Sequence, residues 1–168
     1  MGRSFWRPMG AGRQPPFDRW PVQHSDPNYG FAWYCGGGLI VSHITVVHGT
    51  AKAAHAYHDY EERMLEEHAR EIEENHGIFV IHDWRMMATY EAEARRVWQN
   101  RMQNRRKGYL RGSVVCVVKA APLLRMAVQA SNVVASLTHQ AKVELTTDLD
   151  AALAEHDAHP GSPMSRRI

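Results

Sequence analysis

GIFVIHDWRMMATYEAEARRVWQNRM, residues 77–102, decides the reading of the fold: it is a buried strand that hands a polar turn to the start of a helix. Ile78-Phe79-Val80-Ile81 is a short, continuous apolar run rich in β-branched residues, the pattern of a parallel strand covered on both faces. Gly77 stops whatever helix precedes it. His82-Asp83-Trp84-Arg85 then falls at the strand's carboxyl end, the edge where open α/β sheets usually bind ligands and partners. Thr89 is the expected N-cap of the next helix, with Glu91 and Glu93 in a first turn whose positive dipole end favours them. That helix is predicted from about Tyr90 to Lys107. It buries Ala94, Val97, Trp98 and Met102, while Arg95, Arg96, Arg101, Arg105, Arg106 and Lys107 make its outer side and end basic.

Toward the N-terminus, Thr50 to His76 is helical in pattern. Ala53, Tyr57, Tyr60, Met64, Leu65, Ala69 and Ile72 recur at spacings of three and four on one face. Glu61, Glu62, Glu66, Glu67, Glu71, Glu73 and Glu74 make the other face acidic and, on this reading, solvated. Gly77 is expected to close this helix as its C′ residue. Before it, Phe31 to Cys35 and Leu39 to Val47 are strand-like runs separated by Gly36-Gly37-Gly38, the signature of a hairpin. Residues 1–30 mix four arginines with five prolines, which blocks regular structure and points to a disordered or extended leader. Phe5, Trp6, Phe17 and Trp20 are its groups able to dock in a groove.

Toward the C-terminus, Ser113 to Val118 is another buried strand and Pro122 opens a helix running to about His139. Leu124, Met126 and Val128 belong to that helix, which is apolar nearly all round and so is either deeply buried or an interaction surface. Val143 to Thr146 is a last strand, Asp148 an N-cap, and Leu149 to His156 a short helix. Residues 157–168 read as a disordered tail. The resulting order, β-β-α-β-α-β-α-β-α, implies right-handed crossovers between parallel strands. The expected fold is therefore α/β: a mixed, mainly parallel sheet opened by an antiparallel hairpin, helices packed against it, in one domain over residues 31–156.

Bulk properties narrow the function. The 168 residues suit one ordinary domain, and 20 basic against 18 acidic residues give no global case for nucleic acid or an anionic membrane. Eleven histidines leave room for more positive charge in acid. Two cysteines, Cys35 and Cys116, sit in apolar runs and are too few for a disulfide framework, which points to a reducing cytoplasm. No window holds the roughly 18 to 20 apolar residues of a membrane span.

Motif chemistry is sparse. P-loop, G-x-G-x-x-G, G-x-S-x-G and H-E-x-x-H patterns are absent, and Gly36-Gly37-Gly38 is a turn. His55, His58 and Glu62 share one side of a helix at i, i+3 and i+7, but a metal would need a further ligand from elsewhere. Glu73 and His76 form a single Glu-x-x-His pair, without the facing helices a di-metal centre requires. His82 and Asp83 are the acid–base candidates. As neighbours on a strand they point to opposite faces, and Asp83 is better placed to bond the following turn. No cofactor is expected. Thr89, at a predicted helix start, is a site where a phosphate would be stabilised and would change local charge by nearly two units.

The element order, the strand ending in Ile81-His82-Asp83-Trp84, the Glu91-Ala92-Glu93-Ala94-Arg95 helix and the strand leading to Pro122-Leu123-Leu124-Arg125-Met126 resemble the STAS-like, SpoIIAA-like proteins of bacteria, over about residues 31–156. The resemblance implies a small, non-enzymatic regulatory or ligand-binding module. In the anti-sigma factor antagonists of this fold a Ser or Thr at the start of the helix after the third strand is phosphorylated. Thr89 is the nearest match, with Met87-Ala88-Thr89-Tyr90 in place of the family's Asp-Ser-Ser-Gly. The expectation is a cytoplasmic module that docks on a partner protein or on itself through His82, Asp83, Trp84, Arg85, Thr89 and the Leu124, Met126 and Val128 face. The alternatives are a carrier of a small apolar, lipid-like ligand and an enzyme using His82 and Asp83.

Overall fold

The computed structural model describes residues 12–104, 109–118 and 141–160. In chain order, a 3-10 turn at Phe17–Arg19 precedes strands His24–Asp26 (β1), Gly30–Gly36 (β2), Leu39–Ile44 (β3) and His48–Gly49 (β4). Helices Ala51–Glu67 (α1) and Ala69–Glu74 (α2) lead to strands Ile78–Asp83 (β5) and Thr89–Tyr90 (β6). Helix Ala92–Gln103 (α3), strands Leu110–Cys116 (β7) and Val143–Thr146 (β8), and helix Leu149–Glu155 (α4) complete the described elements.

Six strands form one sheet in the order β1-β2-β3-β5-β7-β8. β1, β2 and β3 are antiparallel neighbours, and β3, β5, β7 and β8 run parallel. The apolar Ile78–Ile81 run is thus the heart of the sheet, hydrogen-bonded on both sides, as its composition requires. α1 and α2 make the crossover from β3 to β5, and α3 the one from β5 to β7. The helix expected over residues 122–139, with Leu124, Met126 and Val128, lies outside the described residues.

Strand alternation divides the core into two layers. Ile40, Ile44, Ile78, Val80 and Val115 face Ala53, Tyr57, Met64 and Ile72 on the α1–α2 side. Val41, Ile81 and Cys116 face the other way, onto Phe17, Trp33, Leu149 and Leu153. The hairpin turn needs its glycines: Gly36, Gly37 and Gly38 have φ of 89°, 59° and 77°, and a Cβ on Gly38 would lie 2.3 Å from the Gly77 carbonyl oxygen.

Several expectations are corrected. The described part of the segment assigned as a disordered or extended leader, residues 12–30, is docked on the domain. Phe17 is fully buried, stacked on Trp33 at 5.1 Å and edge-on to Trp20 at 4.9 Å, and β1 extends the sheet. Prolines exclude a long element there, but two aromatic side chains suffice to fix an irregular chain by burial. The fold also runs past residue 156, since Ala158 is 1% exposed and its N–H donates to the Leu153 carbonyl. The long helix breaks at His68, whose ring lies flat on Tyr34 with centroids 3.8 Å apart. α2 ends in a Schellman arrangement, His76 N–H donating to Glu73 O and Gly77 N–H to Ile72 O, so His76 at φ 61° is the C′ residue and Gly77 follows it.

Candidate functional site

Seven polar or charged side chains are buried among the described residues, and four of them occupy two adjacent rungs at the carboxyl end of β3 and β5. Parallel register sets Ser42 beside His82 and His43 beside Asp83. Alternation sends the first pair toward α1 and the second toward the N-terminal segment, so His82 and Asp83 share no proton. The Ser42 Oγ to His82 Nδ1 distance is 2.9 Å, and His82 lies edge-on to the Tyr57 and Trp98 rings at 5.2 and 5.4 Å. Burial depresses its pKa to about 3, so the imidazole is neutral at physiological pH.

The partner of Asp83 is His43, which the sequence reading passed over. His43 Nε2 accepts from the Gln14 N–H at 3.1 Å, so its proton sits on Nδ1 and donates to Asp83 Oδ2 at 2.7 Å. The Arg85 guanidinium closes the cluster, Nε donating to Asp83 Oδ1 at 2.8 Å and Nη2 to Oδ2 at 3.0 Å. Nη2 also donates to the Pro15 carbonyl at 2.9 Å, and the Arg85 backbone N–H donates to Oδ1 at 3.1 Å. Burial alone would raise the Asp83 pKa, but the hydrogen bonds from His43 and Arg85 and the positive charge of Arg85 outweigh it and hold the carboxyl below its ordinary value. Cys116 shares the rung with Asp83, and burial with that carboxylate pushes its thiol up to about 11, leaving no thiolate at neutral pH. The arrangement is a clasp that fastens residues 14–17 to the sheet. Asp83 does bond the turn that follows it, as expected of an Asp there.

On the α1 side, His58 and Glu61 are 1% and 0% exposed, contrary to the solvated face expected for Glu61. His58 Nδ1 lies 3.2 Å from Glu61 Oε2, and Tyr57 OH donates to Glu61 Oε1 at 3.3 Å. α3 lays Trp98 over Tyr57 and His58 at 4.8 and 4.4 Å. Covered by both the sheet and a second helix, α1 buries a wider arc than a single amphipathic stripe. The imagined metal trio is not assembled. His55 and Glu62 are exposed beside Arg101, which also reaches Asp59 at 3.0 Å, whereas His58 turns inward to Glu61. Glu73 and His76 are exposed around the end of α2. No group of three or more His, Cys, Asp or Glu able to hold a metal occurs among the described residues.

Trp84 leaves the strand's end with its ring 5.7 Å from Tyr90 and 5.8 Å from Trp98. Thr89 is not a helix cap. It pairs with His48 in the short parallel β4–β6 ribbon, its Oγ1 2.6 Å from His48 Nδ1, and α3 is instead capped by Glu91 without a side-chain bond. The ribbon keeps the chain extended through Tyr90 and delays the helix by two residues. It displays His48, Ala88 and Thr89 to solvent, with Val47 47% exposed beside them. Leu124, Met126 and Val128 lie outside the described residues.

No family model matches the chain, and neither a curated protein nor a solved structure matches it. No helix among the described residues is long and apolar enough to cross a membrane.

Proposed function

We propose that the chain is a non-catalytic regulatory module of STAS-like type, which works by docking a partner protein on the carboxyl edge of its parallel strands. The observation that carries this reading is the surface there: two of the three exposed large apolar side chains among the described residues, Val47 and Val118 at 47% and 44%, follow parallel strands at that edge, and the β4–β6 ribbon adds exposed Thr89. Behind it, the groups an enzyme of this edge would use are engaged with one another: His82 with Ser42, Asp83 with His43 and Arg85. That supports polar side chains serving to hold the edge rigid for docking. Thr89 remains the natural position for a switch, now as an exposed hydroxyl on the ribbon. A phosphate there would break its contact with His48 and place about two negative charges on the docking surface.

Affinity capture from the native source, followed by native mass measurement, tests the reading. A stoichiometric protein complex is expected for the wild type, lost in Val47→Asp and in Thr89→Arg, and kept in Arg70→Asp on the remote end of the helical layer. A complex that survives both edge substitutions overturns it, as does a chemical turnover abolished by Asp83→Asn in a variant that still folds.

A further inference from the structure

Residues 12–23 cross the sheet face opposite α1 and α2 as a strap, held as a bound peptide is held. Among the described residues, every hydrogen bond between this strap and the rest of the domain passes through a side chain. His43 Nε2 accepts from the Gln14 N–H, Arg85 Nη2 donates to the Pro15 carbonyl, the Trp33 indole donates to the Pro21 carbonyl, and the Gln23 amide pairs with the Tyr34 backbone. Internal bonds give the strap its shape: the Phe17, Arg19 and Trp20 N–H groups donate to the Gln14, Pro16 and Phe17 carbonyls, and the Arg13 guanidinium donates to the Trp20 carbonyl. In such a 3-10 turn positions three apart eclipse, so Phe17 and Trp20 present their rings together. Both meet Trp33, Phe17 stacked and Trp20 edge-on, each at 5.1 Å.

Phe17 is the one buried side chain of the strap, and its pocket is also walled by His43, whose ring lies 4.8 Å away. A single aromatic anchor flanked by captured main-chain groups is the anatomy of a short recognised segment. Prolines at 15 and 16 remove two N–H groups, so such a segment cannot join the sheet as a strand and binds through its carbonyls and rings. Without ladder bonds to the sheet, it also opens more readily than the strands beneath it. We propose that the pocket of Trp33, His43 and Arg85 is a recognition site for a partner protein's segment carrying Pro-Pro-Phe with a second aromatic three positions on, and that residues 14–21 occupy it in cis as an autoinhibitory contact. Tethered to β1, the strap competes through its high local concentration, so the partner's segment enters when the strap is out.

The inference does not rest on docking at the carboxyl edge, and its test needs no captured partner. The probe is a labelled peptide of residues 14–21, and the host is the full chain carrying Phe17→Ala, which empties the pocket in cis. Saturable binding is expected to this host, at least about tenfold weaker binding to the wild type, and none by the peptide that itself carries Phe17→Ala. Binding should also return the Trp33 indole N–H resonance of the host to its wild-type position. Hydrogen exchange of the wild type gives a readout that holds even where Phe17→Ala fails to fold: the Phe17, Arg19 and Trp20 amides should exchange while those of β5 stay protected. A folded host that does not bind the peptide overturns the proposal, as do strap amides that exchange only together with β5. A concentration-dependent wild-type dimer with exchanged straps overturns it too, by assigning the pocket to a second copy.

Discussion

Asp83→Ala is expected to destabilise the protein by about 3 kcal/mol at neutral pH and to loosen the N-terminal segment. The carboxylate is fully buried and accepts from His43 Nδ1, from Arg85 Nε and Nη2, and from the Arg85 backbone N–H. Its removal leaves the buried His43 N–H without an acceptor, about 1–3 kcal/mol. The Arg85 side chain is 26% exposed and can turn partly to water, so its loss is smaller. The sum falls at the low end of the roughly 3–5 kcal/mol measured for breaking buried pairs. Against a total stability of about 5–15 kcal/mol this is readily seen in urea unfolding. The pH dependence follows from the lowered Asp83 pKa. A depressed carboxylate contributes its stability fully above the unfolded value of about 3.9, and loses it as pH falls through the lower folded value. The gap between wild type and Asp83→Ala should therefore be constant near neutrality and close in strong acid. Amide exchange supplies a local readout: the Gln14 N–H, bonded to His43 Nε2, should exchange faster in the variant. A loss under about 1 kcal/mol, or a gap that persists unchanged in acid, refutes the clasp.

His82, with its pKa depressed to about 3 by burial, should show no imidazole titration between pH 5 and 8 by NMR. Because its folded value lies below the unfolded one of about 6.5, stability should fall as pH drops below that point, by at most about 1.4 kcal/mol per unit, and His82→Gln should remove this slope from acid unfolding curves. Gly38→Ala, at φ 77° with its new Cβ 2.3 Å from the Gly77 carbonyl oxygen, should cost several times the roughly 1 kcal/mol of an ordinary glycine replacement and be visible in thermal melts.

The sequence was most informative where one local pattern controls the structure. Ile78–Ile81 has no polar alternative and becomes the central strand, and three glycines in a row admit little but a tight turn. Asp148 caps α4 as expected, accepting from the Ala151 N–H at 2.9 Å. What escaped is decided by distant partners. Glu61 is buried because Trp98, 37 positions later, lies over its helix, and periodicity on α1 cannot see that second cover. His43 sits with Ser42 inside the otherwise apolar Leu39–Ile44 run, and polar residues in a buried strand were the available signal that each has a buried partner. Thr89 has good N-cap chemistry, but pairing with His48 fixes its backbone in a ribbon. In residues 12–30 proline content describes only which elements cannot form, and Phe17 and Trp20, two of the aromatics able to dock in a groove, hold their chain through ring contacts.

The central claim, docking on the carboxyl edge, is tested most directly by mapping amide hydrogen exchange on the captured complex against the free chain. The account predicts new protection at residues 46–50 and 86–91, where the Ala88 and Thr89 N–H groups bond the Val47 carbonyl and the ribbon meets solvent, and at Val118 beside them on the same edge. Protection that leaves this ribbon unchanged and appears instead on the acidic outer face of α1 and α2, or along edge strand β1, contradicts it.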